Sequence, residues 1–172
     1  MHTNSKDQRI TDLSAIIEGL VKAEIEFILV GGLAAVVQGA PVTTMDVDIV
    51  HNRSPENISR LFKFLKSIDA IYRRPDDKII VPTEEDFSGH ALFSTRLGPL
   101  DVLAFIEENK NYNDLLKYTV GIDFRGHVIR VLDIRTIIEL KKSSKAHRDK
   151  QRLPVLEETV RQLDENSGFD KE

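Results

Sequence analysis

Residues 27–50 read FILVGGLAAVVQGAPVTTMDVDIV, and this stretch decides the fold. Phe27-Ile28-Leu29-Val30 is a continuous apolar run of strand length, which reads as a buried strand. It stops at Gly31-Gly32. Leu33 to Val37 is apolar again and reads as a short helix, ended by Gly39 and Pro41. Met45 to Val50 alternates and reads as a second strand. Alternation puts Asp46 and Asp48 on one face, about 7 Å apart, with Val47 and Ile49 on the other. Two carboxylates so placed repel each other. Either the pair is the solvated outer face of an ordinary strand, or a basic residue or divalent cation stands beside it.

Working outward, Leu13, Ile16, Ile17, Leu20 and Val21 form the apolar stripe of a preceding helix. Ser54-Pro55 opens another, with serine as N-cap and proline at the first helical position. That helix carries Ile58, Leu61, Phe62, Leu65 and Ile68 on one face. Residues 73–90 are polar and turn-rich, with short strands expected only at Ala70–Tyr72 and Lys78–Val81. Ala91–Leu97 and Leu100–Ile106 read as a hairpin joined at Gly98-Pro99, and Tyr118–Phe124 with His127–Leu132 as a second. Asp133 caps a helix bearing Ile134, Ile137 and Ile138. A last helix carries Leu153, Leu156, Val160 and Leu163, and the tail frays from Asn166. The sum is an α+β domain, a small mixed sheet flanked by helices, expected to occupy 1–172 as one unit with its core at about 10–165.

Composition narrows the function. The chain has 172 residues, 41% hydrophobic and 30% charged, with a formal charge of −4. That describes a globule rather than a disordered chain, and not a general polyanion binder. There is no cysteine, which removes disulfides, thiolate zinc sites and cysteine nucleophiles, and fits a reducing compartment such as the cytoplasm. Met1 to Ile10 has no apolar core, so no leader is read there, and no apolar run is long enough for a membrane span.

A third acid, Asp101, stands between Leu100 and Val102, early in its strand. If that strand neighbours Asp46–Val50, backbones about 4.8 Å apart bring three carboxylates into one patch. Taken alone, Asp101 is equally well a turn-end aspartate. Clustered anionic oxygens suit Mg²⁺ or Mn²⁺. The three carboxyls are then expected within about 4–7 Å of one another, close enough to share bridging ions. Gly31-Gly32 between strand and helix lets an anion approach the backbone, although a tight turn asks for the same pair. It is neither a dinucleotide fingerprint nor a P-loop.

The combination is more specific than its parts. A hydrophobic strand, Gly31-Gly32, thirteen residues, Asp46-x-Asp48 and a later apolar-Asp101-apolar strand resemble the DNA polymerase β-type nucleotidyltransferase superfamily, from about Ile25 to Leu163. Within it the chain is most similar to small stand-alone members related to AbiEii-type toxins. Thr44 matches their threonine two before the first aspartate, and Arg148-Asp149 their basic-acidic pair. Many relatives carry arginine four before that aspartate, where this chain has Val42.

The resemblance implies transfer of a nucleoside monophosphate from an NTP to an acceptor hydroxyl, with release of pyrophosphate. It implies that Asp46 and Asp48 hold metal ions. Asp101 binds the catalytic ion and accepts the acceptor's proton. Gly31, Gly32 and Thr44 sit at the nucleotide. The acceptor class, whether tRNA, protein or small molecule, stays open, and small members often work with a partner protein. The alternative is a non-catalytic nucleotide- or partner-binding module of a toxin–antitoxin pair. The intact acids favour the enzyme; Val42 and the small size favour the module.

Residues 135–152 hold seven basic residues and two acidic ones, a surplus of five, so the rest of the chain sums to −9. Such a run is either a solvated face or a phosphate contact. Lys141 lies three and four residues after Ile138 and Ile137, on the apolar stripe. It either snorkels to water or meets phosphate in the cleft, with Lys145 and Arg148 further along the helix. The five histidines show no metal spacing, and Glu84-Glu85-Asp86 reads as a solvated turn.

Overall fold

The computed structural model describes residues 11–169. Residues 1–10, where no leader was read, lie outside the described residues. Helix α1 (Leu13–Lys22) starts at Asp12, whose carboxylate accepts from the Ala15 N–H at 2.9 Å, and buries Ile16, Ile17 and Leu20. Strand β1 (Phe27–Val30) is buried along its whole length. It runs into the short helix α2 (Gly31–Val36), and strand β2 (Val47–His51) follows. Helix α3 (Pro55–Ser67) begins as its sequence dictates, with Ser54 as N-cap and Pro55 first. Then come β3 (Ile71–Tyr72), β4 (His90–Thr95), β5 (Gly98–Leu103), the small pair β6 (Phe105–Ile106) and β7 (Lys110–Asn111), and α4 (Tyr112–Leu115). The chain ends through β8 (Thr119–Phe124), β9 (His127–Leu132), α5 (Ile134–Ser143) and α6 (His147–Phe169).

Seven strands form one sheet in the order β3-β4-β5-β2-β1-β9-β8. It is mixed: β1 pairs antiparallel with β2, while β2–β5 and β1–β9 are parallel. The parallel β2–β5 pair puts Asp48 opposite Asp101 and Val47 opposite Leu100. Val47, Ile49, Leu100 and Val102 point to the other face and are fully buried. Burying one such side chain contributes roughly 1.5–3 kcal/mol, so the register is held by the apolar row behind the acids. Helix α1 packs on β2, β5 and α3, and α5 packs on α2 and α6.

One side chain fixes the α2–α5 relation. The Gln38 amide donates to Ala34 O at 2.9 Å and to Leu132 O at 2.8 Å. Its carbonyl accepts from the Ile134 N–H at 2.9 Å. The end of α2 is thereby tied to the β9–α5 turn.

Four sequence expectations shift. The hairpin turns at Arg96-Leu97, stapled by the Thr95 hydroxyl, and Gly98-Pro99 already belong to β5. Lys78–Val81 forms no strand, contributing only the Ile80 carbonyl to the Tyr72 N–H. The basic stretch is not one helix. It breaks at 144–146, where Ser144 turns extended and its hydroxyl donates to Asp149 at 2.7 Å. The last helix continues to Phe169 rather than fraying from Asn166.

Candidate active site

Asp46 precedes β2, Asp48 lies in it, and Asp101 sits beside Asp48 on β5. One carboxylate oxygen from each lies within 4.8 Å of the others, inside the range that alternation and strand spacing predict. The acids are only partly exposed, with Asp101 9% accessible. Burial pushes the Asp48 carboxyl up to about 8, helped by its hydrogen bond with Asp101 and by the charges of Asp46 and Asp101. Burial also raises Asp46, again with Asp101 beside it, while the cations Arg73 and Arg148 pull it back.

Arg73 is the member that sequence reading missed. Its Nη2 donates to Asp101 Oδ1 at 2.9 Å and to the Phe93 carbonyl at 2.8 Å. Its own N–H donates to Leu92 O at 2.8 Å, so both the main chain and the guanidinium of Arg73 are tied to the backbone of β4. The available signal was its place directly after the short strand Ile71–Tyr72. In sequence it was submerged in a polar segment.

Gly31 is demanded twice. Its φ is +71°, and a Cβ there would stand 2.1 Å from Asp48 Oδ2. A Cβ on Gly32 would lie 3.2 Å from Thr44 Oγ1 and 3.3 Å from Arg152 Nη1. The Thr44 hydroxyl donates to Asp46 O at 3.3 Å, tying the loop to the strand it enters. Gly31, Asp48 and Lys141 line the polar part of a cavity of about 360 Å³, and Phe105, Ile106, Ile137 and Leu140 line its apolar wall. That volume suits a small-molecule ligand.

The structure thus brings Gly31, Gly32, Thr44, Asp46, Asp48 and Asp101 together. Lys141 reaches the same cavity, but its ammonium is 2.9 Å from Asp149 Oδ1 in a largely buried pair. Lys145 falls in the 144–146 break and is exposed, without a hydrogen bond or ion pair among the described residues. Arg148 is exposed on the first turn of α6, with its charge felt at Asp46. His51 is fully buried on the opposite face of β2, edge-on to Phe87, and burial lowers its pKa.

The donor set answers which cofactor would fit. Three hard anionic oxygens, with nitrogen and sulfur absent from the cluster, match a divalent cation of the Mg²⁺ or Mn²⁺ type. One guanidinium does not neutralise three acids, and a divalent cation held there would offset both the burial and the acidic neighbours that push Asp48 up to about 8.

No protein-family model matches the chain. No curated protein sequence matches it either. Solved structures do. The lincosamide antibiotic adenylyltransferase LnuA, lincomycin-bound, superposes with a TM-score of 0.54 at 13% identity, covering 83% of this chain and 92% of that one. The antibiotic-resistance factor ANT(2'')-Ia, a solution structure, gives 0.50 at 12% identity over 91% and 90%. TM1012 of Thermotoga maritima, a provisionally assigned nucleotidyltransferase, gives 0.49 at 15% identity over 93% and 91%. At such identities the likeness is one of fold. The mixed seven-stranded sheet flanked by helices is the nucleotidyltransferase fold that the sequence motifs led us to expect.

Proposed function

We propose that the chain, working as a single domain, transfers a nucleoside monophosphate from an NTP to an acceptor hydroxyl, with a divalent cation held by Asp46, Asp48 and Asp101. The observation that carries this reading is the β2–β5 register. It sets Asp48 beside Asp101 and gathers three repelling carboxylates at the Gly31 turn. Mg²⁺ or Mn²⁺, when bound, supplies charge neutralisation at the reacting phosphate.

The protein's own part is positioning. The acceptor oxygen attacks the α-phosphorus as the bond to the bridging β-phosphate oxygen breaks, and pyrophosphate leaves. Asp101 takes the hydroxyl proton, and Arg73 fixes the rotamer in which it does so. The bare backbone at Gly31-Gly32 and the Thr44 hydroxyl accommodate the triphosphate. Arg148 offsets part of its charge, and Lys145, in the exposed 144–146 break, is proposed to add to it. Lys141, already paired with Asp149, shapes the cavity wall more than it neutralises phosphate.

For the acceptor we favour a small hydroxylated molecule over tRNA or a protein. The cavity is of small-molecule size, and the chain outside 135–152 sums to −9, which repels a polyanion. Similarity to an adenylyltransferase solved with lincomycin agrees with that. An NTP donor implies work in the cytoplasm. A nucleotide-binding module without transfer, AbiEii-like and paired with a partner protein, is the competing reading. Arg73 holding Asp101 favours it, because a carboxylate already paired is less open to metal.

Incubation with each labelled NTP, Mg²⁺ and a small-molecule extract tests the proposal. A labelled acceptor and stoichiometric pyrophosphate are expected. Nucleotide binding without pyrophosphate release, across all four NTPs, leaves the module.

A further inference from the structure

Arg152 sits one turn beyond Arg148 on α6, yet it reaches back 109 residues in sequence to the loop that enters β2. Its Nη2 donates to the Thr43 carbonyl at 3.1 Å. Its Nη1 lies 3.3 Å from the point where a Cβ on Gly32 would stand, and Thr44 Oγ1 lies 3.2 Å from that same point. A guanidinium, a hydroxyl and a side-chain-free backbone therefore face one spot. Next door, Gly31 presses against the Asp48 carboxylate.

The charge of Arg152 is uncommitted. Some cations of the same helices are taken, Lys141 by Asp149, Arg135 by Asp164, and Arg161 by Glu158 and Glu165, while Lys145, Arg148 and Lys150 are unpaired among the described residues but exposed. Arg152 has no carboxylate within ion-pair distance among the described residues. Asp149, the acid that feels its charge, already accepts from Lys141 and Ser144. A guanidinium offers five N–H donors in a planar fork, and here one donor is filled by a backbone carbonyl. An arginine half-buried in this state is poised for an anion with several oxygens.

We propose that Arg152 is a binding residue for the polyphosphate tail of the nucleotide, held ready by Thr43 O and acting with the Thr44 hydroxyl across Gly32. The proposal rests on the nucleotidyl-transfer reading and assigns a residue to it. The competing explanation is mechanical: Arg152 is a strut between α6 and the 41–46 loop.

Three variants separate these. Arg152→Gln keeps a donor for Thr43 O and deletes the charge. Arg152→Lys keeps charge and loses the fork. Gly32→Ala leaves the arginine and puts a methyl on the spot. The probe is inorganic tripolyphosphate with Mg²⁺, titrated calorimetrically, with melting temperature measured alongside. A lost charge-assisted hydrogen bond predicts a Kd about ten- to a hundredfold weaker for Arg152→Gln. Arg152→Lys recovers part of the loss, Gly32→Ala weakens binding, and all three melt like wild type. Arg152→Gln binding tripolyphosphate as tightly as wild type removes Arg152 from the site and leaves the transfer reading standing. So does a loss of affinity that tracks a fall in melting temperature across the Gln and Lys variants, which makes Arg152 a strut. Wild type that binds neither tripolyphosphate nor any NTP overturns the transfer reading, and this inference with it.

Discussion

Two clusters of charge each give one residue, Asp48 and Lys141, to the same cavity, and they are built on opposite rules. At β2 and β5, three carboxylates crowd together with one guanidinium among them, and Asp48 is pushed up to about 8 by burial and by its acidic neighbours. At the α5–α6 corner, Lys141 and Ser144 both donate to Asp149, one cation to one anion. There burial raises the Asp149 carboxyl, and the hydrogen bonds from Ser144 and Lys141 more than offset it, so its pKa ends lowered. The first cluster is left with surplus charge by the protein; the second is satisfied by it. Surplus buried charge asks for a ligand from outside, whereas a matched pair holds the fold.

That contrast is open to attack by mutation, beginning with the largest effect. Asp101→Asn removes a charge from the surplus cluster and leaves an acceptor for Arg73. Pyrophosphate release should fall by about two to three orders of magnitude. The melting temperature should stay level or rise slightly. A variant that unfolds, or that retains full activity, would put Asp101 in the structural class instead.

Lys141→Met is the matching blow to the satisfied cluster. It keeps the apolar stem and strands Asp149 with Ser144 alone. Chemical denaturation should show a loss of roughly 1–3 kcal/mol. Unchanged stability combined with weaker NTP binding would move Lys141 into the surplus class, as its place on the apolar stripe first suggested.

The smallest effect is the most diagnostic. Asp48 binds its proton more tightly folded than unfolded, so ionising it costs the metal-free protein stability as pH rises from about 4 to about 8. Asp48→Asn escapes that cost. It should be more stable than wild type at pH 8 by about 1–2 kcal/mol, after discounting the shift for relaxation, and equal to it near pH 4. Added Mg²⁺ should narrow the gap at pH 8 by stabilising wild type alone. A gap independent of pH would mean that Asp48 is not held in surplus charge.

Much of this was legible in the chain itself. The run Phe27–Val30, the glycine pair and the alternation at Val47–Val50 set two strands and a turn, because strand alternation and glycine's freedom are local properties. Met45 and Asp46 were expected in the second strand but precede it, so Asp46 joins Asp48 from the entering loop rather than by alternation. Ser54-Pro55 and Asp133 announced their helices for the same reason. The acid before Val102 was visible as a candidate, yet only the parallel β2–β5 pairing made it a neighbour of Asp48. Arg73, Arg152 and the partner of Lys141 were hidden, since each interaction crosses from one element to another. Arg73 meets Asp101 at a separation of 28 residues, and Arg152 meets Thr43 at 109. Lys141 and Asp149 are eight apart but face each other only because the chain breaks at 144–146. Periodicity reports which face a side chain takes on its own element. Which charge it finds there depends on how the elements dock, and docking is decided by burial of apolar rows that carry no record of the charges riding on their far sides.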